Sequence, residues 1–173
     1  LTALFDLLQV PTERSNMSFA VSLDDGALEY SGSGLSGLFG QPNNLMRPRF
    51  WSMLHDVLRF YRNVPHEVGL NEDLQISLGE YLDRGRYGAA FLNDHLLPMA
   101  SAIWSAAPKA MLEYPASAFV RFHENHGLLQ VRKRPTWETV VGGSRNYVTR
   151  LCAPFADRIR LSAGVRDVRR MND

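Results

Sequence analysis

The stretch Thr136-Trp137-Glu138-Thr139-Val140-Val141-Gly142-Gly143-Ser144-Arg145-Asn146-Tyr147-Val148 constrains this chain more than any other. Its first half is rich in β-branched residues, which suits a pleated, half-buried strand. Gly142 and Gly143 then remove Cβ where the chain must turn sharply or admit another group close to its backbone. Ser144 is placed to cap a helix whose first N–H groups carry the positive end of the dipole. Tyr147, Val148 and Leu151 give that helix an apolar face, and Asp157-Arg158-Ile159-Arg160-Leu161 reads as a second strand. The expected order is strand, glycine turn, helix, strand.

Upstream, Leu1, Leu4, Phe5, Leu7 and Leu8 have helical spacing, closed by Pro11. Met17, Phe19, Val21 and Leu23 alternate with small polar residues as a strand does, and Asp24-Asp25-Gly26 predicts a hairpin returning through Leu28 and Tyr30. Gly32-Ser33-Gly34-Leu35-Ser36-Gly37 matches a dinucleotide fingerprint in letters only. Gly40 and Pro42 interrupt any following helix, and Asp56 falls inside an amphipathic one, so the segment is read as a loop.

Pro48 opens the clearest helix, with Phe50, Trp51, Met53, Leu54, Val57, Leu58 and Tyr61 as a broad apolar face. Pro65 to Asp73 reads as a polar loop. Ser77-Leu78-Gly79-Glu80 has capping-box spacing, ended by Gly85. A long helix is expected from about Tyr87 to Ile103, kinked at Pro98. Another starts at Pro115 and ends at Gly127, followed by a strand over Leu128-Leu129-Gln130-Val131. The fold class is α+β, a mixed or antiparallel sheet with several packed helices.

At 173 residues the chain fits one domain and is able to bury roughly 70% of its unfolded surface. A net charge of +1 gives no basis for nucleic acid as the main partner. The arginines at 158, 160, 166, 169 and 170 lack interleaved aromatics and read as exposed strand faces. The single cysteine, Cys152, excludes an internal disulfide and suits a reducing, cytoplasmic compartment. No apolar run reaches the roughly 18 residues of a membrane span, and no signal peptide is visible. The chain starts at Leu1 inside a helical pattern and stops soon after a strand-like run, so it is read as a partial domain.

His123 and His126 share a helix face at i and i+3, but zinc needs a further ligand and the zincin spacing is i and i+4, so no metal is assigned. His126 reads as a hydrogen-bonded structural histidine. No G-x-S-x-G nucleophile elbow is present, and His55, His66 and His95 have no evident serine or cysteine partner.

The glycine stretch resembles a segment of the FAD-dependent amine-oxidase-like flavoproteins. Leu97-Pro98-Met99-Ala100-Ser101-Ala102-Ile103-Trp104-Ser105 and Glu124-Asn125-His126-Gly127-Leu128-Leu129 resemble phrases of a bacterial branch of that group. The resemblance implies a substrate-binding (cap) domain over residues 1–173, with the FAD-binding domain largely supplied by the rest of a parent chain. It further implies hydride transfer from an amine or lipid-like substrate to flavin. Carried over by position, Gly142, Gly143 and Ser144 fall at the cofactor, Asn146 faces substrate, and Trp104, Trp137, Tyr147 and His126 line the cavity. A fragment of this kind is expected not to retain FAD alone. The rival reading is a stand-alone α+β module that binds a small ligand or a partner protein.

Overall fold

The computed structural model describes residues 1–16, 18–67, 76–130 and 135–170. In chain order the elements are α1 (Thr2–Leu7), β1 (Thr12–Ser15), β2 (Ala20–Leu23), β3 (Leu28–Ser31), α2 (Leu35–Leu38), a 3-10 turn (Pro42–Met46) and α3 (Pro48–Glu67). There follow α4 (Leu78–Arg84), α5 (Ala89–Phe91), a π-helical turn (Leu92–Leu96), α6 (Leu97–Trp104), α7 (Pro108–Leu112) and α8 (Ala116–Asn125). The chain closes with β4 (Trp137–Val140), α9 (Arg145–Cys152) and a 3-10 turn (Ala153–Arg158). The class is α+β, with two small antiparallel sheets, β1–β4 and β2–β3.

Two compact units emerge. Residues 1–16 and 136–173 form the terminal unit, and residues 17–135 the central unit.

The central unit is organised on α3. Phe50, Met53, Val57, Phe60 and Val64 repeat at intervals of three and four and are all buried, an inward stripe of helical period. Phe60 is its centre, with ring centroids of Phe91 at 5.3 Å, Tyr87 at 5.6 Å, Tyr81 at 6.1 Å and Phe119 at 6.5 Å. Trp51 and Leu58, expected on the same face, are about half exposed, because the buried stripe occupies only one side of the helix. The helix also runs through Pro65 to Glu67 rather than ending there, and the rest of the expected loop, 68–73, lies outside the described residues.

Local chemistry explains the ends. Ser77 and Glu80 form the full capping box that opens α4. At the end of α8, Gly127 sits at φ +64°, its N–H bonds Glu124 O and the Leu128 N–H bonds His123 O, a Schellman closure. That reversal puts Leu128 and Leu129 in a turn, not the expected strand; Val131 lies outside the described residues. Leu78 N donates to Tyr114 O and Ala116 N to Ile76 O, which clips the start of α4 to the start of α8.

The β2–β3 hairpin turns through Asp24, Asp25 and Gly26, all at positive φ. Its outer edge is bonded by side chains of the following 3-10 segment. Gln41 accepts from Glu29 N, Asn44 donates to Glu29 O and Arg47 donates to Ala27 O. Such side-chain cover blunts a strand edge that would otherwise recruit another strand. β3 is therefore half of a hairpin and not the first strand of a βαβ unit, and α2 after it is a single turn. The fingerprint-like glycines are a loop.

In the terminal unit, β1 and β4 pair in the register Thr12–Val140 to Ser15–Trp137. Val141 N donates to Pro11 O and extends the ladder. α1 ends on Gln9 at φ +50°, with Gln9 N bonded to Asp6 O and Val10 N to Phe5 O. Arg150 of α9 donates to Leu8 O and Gln9 O, satisfying carbonyls at that end. The expected strand over Asp157–Leu161 is absent. Pro154 opens a 3-10 turn there, and among the described residues β1 and β4 pair only with each other. Residues 159–170 carry no strand, so the arginine run lies on irregular exposed chain.

Candidate functional site

The glycine turn of the terminal unit follows the expected plan. β4 ends at Val140, Gly142 and Gly143 take φ of +76° and +86°, and α9 begins at Arg145. Gly143 N donates to Val140 O at 3.0 Å, and Asn146 N donates to Gly143 O at 3.1 Å. The Asn146 amide donates to Val141 O at 2.6 Å, so its side chain braces the turn from inside. A Cβ on Gly142 would lie 2.6 Å from that amide nitrogen, whereas Gly143 has no atom within 4 Å of the place a Cβ would take. One glycine serves the turn itself; the other leaves open space beside the backbone.

Ser144 does not cap the helix. Its backbone is already helical, at φ −59° and ψ −25°, so its hydroxyl is not placed to accept from the next turn. The first N–H groups of α9 remain without intrahelical acceptors. Tyr147 is half-buried against Phe5, with centroids 5.4 Å apart, and Trp137 sits opposite Ser15 in the ladder. Gly142, Gly143, Ser144, Asn146, Tyr147 and Trp137 thus belong to one small unit.

Trp104 and His126 belong to the central unit, in an aromatic cluster. Trp104 lies 4.6 Å from Phe122 and 5.5 Å from Phe119 and His123, and His126 stacks on Phe122 at 4.1 Å. His126 Nδ1 bonds Phe122 O at 2.8 Å, the structural histidine that was expected. His123 is the unusual member. It is fully buried, its Nδ1 donates to Phe119 O, and its Nε2 has no partner. Burial holds its pKa down to about 4, so the ring stays neutral. Among the described residues no group of three histidine, cysteine or acidic side chains is arranged to hold a metal ion.

A second polar constellation escaped the sequence reading. Pro98 has no N–H to offer the Asp94 carbonyl four residues back, and the helix passes this point as a π turn. The Tyr30 hydroxyl donates to that carbonyl at 2.7 Å. Since its only proton goes there, the 3.0 Å contact with His95 Nδ1 must be donated by the imidazole. The other ring nitrogen, Nε2, meets the Tyr61 hydroxyl 3.2 Å away. Arg49 closes the group with a two-pronged ion pair to Asp94, at 2.7 and 2.8 Å. Burial, and then the nearby Tyr61 and Asp94, push the Tyr30 phenol upward, so it stays protonated. A protonated tyrosine with its hydrogen already committed is a positioning group rather than a base. The available clue was the Asp94–Pro98 spacing, which leaves a helix carbonyl in need of a donor.

Beside Tyr61 the surface opens into a groove of about 510 Å³ lined by His55, Leu58, Arg59, Tyr61, Arg62 and Leu129. A second concavity of about 600 Å³ lies along the hairpin, between Ser22, Tyr30, Ser31 and Gly37 to Pro42. Comparison with protein-family models and with curated proteins returns no match for this chain.

Proposed function

We propose that this chain is the substrate-side portion of an FAD-dependent oxidoreductase of the amine-oxidase-like kind, passing hydride from an amine or lipid-like substrate to flavin. The observation that carries the reading is the course of the chain. The central unit is inserted between β1 and β4, and the returning strand runs into a glycine pair, open at Gly143, at the start of a helix. A linker of this form is what the resemblance implies for a chain returning from a substrate domain to a flavin domain.

The residues fit a flat cofactor approaching the backbone at Gly143, where no atom stands within 4 Å of the place a Cβ would take. Asn146 holds the turn in shape through Val141 O. FAD, when bound, supplies the two-electron acceptor. This chain's part is to present the turn and to build the pocket wall, while the remainder of the parent protein holds most of the cofactor.

The test is flavin retention. FAD added to this chain is expected to leave on dialysis, and a longer parent polypeptide is expected to keep it at one per chain and to bleach with an amine or lipid-like reductant under anaerobic conditions. A colourless parent that ignores added FAD overturns the proposal. A second reading, a stand-alone binding module, draws on the self-sufficient core of the central unit and the groove over α3.

A further inference from the structure

We infer that the groove over α3 is a binding site for a small organic anion, a carboxylate carried on an aromatic or branched apolar body. His55, Leu58, Arg59 and Arg62 stand at i, i+3, i+4 and i+7, one face of α3, and they span about 10 Å along its axis. Leu129, delivered by the closure at Gly127, lines the same groove. Its volume of about 510 Å³ lies within the range of roughly 300–1,000 Å³ in which small-molecule sites are found.

The charges select the ligand. Arg59 is pinned: it bonds Asp56, Gly85 O and Arg86 O, and lies 3.9 Å over the Tyr87 ring. Its charge is offset by Asp56, whose other oxygen accepts from Gly88 N. Arg62 has no such offset. Its bond is to the neutral Asn63 amide at 3.3 Å, and among the described residues it has no carboxylate partner. His55, with 77% of its side chain exposed, adds a second positive charge when protonated, shared with Asp56 at 3.3 Å. The groove therefore presents net positive charge beside apolar surface.

That surface is uncovered for a reason. Leu58 is 57% exposed on a helix whose opposite stripe is fully buried. The ring of Tyr61, tied to His95, gives the groove a fixed wall beside it. An apolar body covering Leu58 and this ring, beside the already buried Leu129, places its carboxylate at Arg62. A bare carboxylate gains too little at an exposed arginine to bind, and a neutral body forgoes the charge. Both parts are required. This inference is independent of flavin.

The test is a titration of the intact chain with 2-naphthoate, followed by amide chemical shifts. Saturable shifts at residues 55–62 and at Leu129 are expected, with affinity falling as salt rises. Arg62→Glu, at an exposed position, should weaken binding about fivefold or more, and Leu58→Asn should also weaken it. Neutral 2-naphthalenemethanol should bind measurably less. Absence of a saturable shift in this groove up to about 10 mM, equal binding of the neutral analogue, or unchanged affinity in Arg62→Glu overturns the assignment.

Discussion

The central and terminal units use the same local devices but differ in what stands behind them. Each has one antiparallel strand pair, helix ends closed by backbone bonds, and an arginine donating to carbonyls at a chain reversal. In the central unit these devices surround an apolar core in which Phe50, Met53, Phe60, Phe91 and Phe119 are at most 1% exposed. In the terminal unit Val10 is the one buried hydrophobic residue among those described, while Val148, Leu151, Phe155 and Ile159 are each 38–44% exposed. Hydrogen bonds in an exposed ladder contribute only about 1 kcal/mol each in net terms, because water competes for both partners. One unit is held by burial and the other mainly by backbone bonding. The second is expected to open locally at lower free energy, and it leaves these apolar side chains exposed.

The largest expected effect tests the core. Phe60→Ala should cost the central unit about 3–5 kcal/mol, read as a fall in its urea midpoint, because four aromatic rings lose their common neighbour. The matching change in the terminal unit, Phe5→Ala, removes a half-buried ring that meets Tyr147 and should cost no more than about 1.5 kcal/mol. Equal losses from the two substitutions would break the contrast.

Acid should act on the same core. His123 holds its proton only below about pH 4 when folded, against an ordinary value near 6.5 when unfolded. The unfolded chain therefore binds the proton first as pH falls. The stability tied to His123 is complete above about pH 7 and is lost progressively between 6.5 and 4, by up to about 3 kcal/mol. His123→Phe should flatten that part of the profile, measured as the difference between the two proteins so that the carboxylates cancel. A variant as acid-sensitive as the parent protein shows that His123 is not the group responsible.

Tyr30→Phe comes next. It leaves the Asp94 carbonyl and His95 Nδ1 buried without their partner and should cost about 1–3 kcal/mol in the unfolding of the central unit. A loss under about 0.5 kcal/mol would mean that another donor reaches the carbonyl.

Much of this was legible in the residues, and the misplaced strands and helix faces share one cause. The hairpin at Asp24-Asp25-Gly26, the capping box at Ser77, the Gly127 closure and the glycine turn at 142 and 143 are set by a few neighbouring residues, and each stands where it was expected. The misplaced elements depend on a distant partner. Leu128–Gln130 and Asp157–Leu161 have strand composition but no strand to pair with among the described residues, and Trp51 and Leu58 have helical spacing but stay about half exposed. The Tyr30–His95–Tyr61 group unites residues from a hairpin and two helices, which spacing along the chain cannot reveal.

The smallest effects lie in the terminal unit and bear on what its glycine pair is for. Gly143→Ala places a side chain at φ +86° and should cost about 1 kcal/mol, because L-residues are strained there, although no atom stands in the way. Gln9→Gly relieves the same strain at φ +50° and should return up to about 1 kcal/mol. Exchange of the Val141 amide, which bonds Pro11 O across the ladder, reads both changes in opposite directions. Combining them separates two roles for Gly143. If it serves the turn alone, the double variant should recover ladder protection and flavin retention in the parent polypeptide together. If its missing side chain admits the cofactor, protection should recover while flavin retention does not, since Gln9→Gly restores stability but cannot reopen the space beside the backbone.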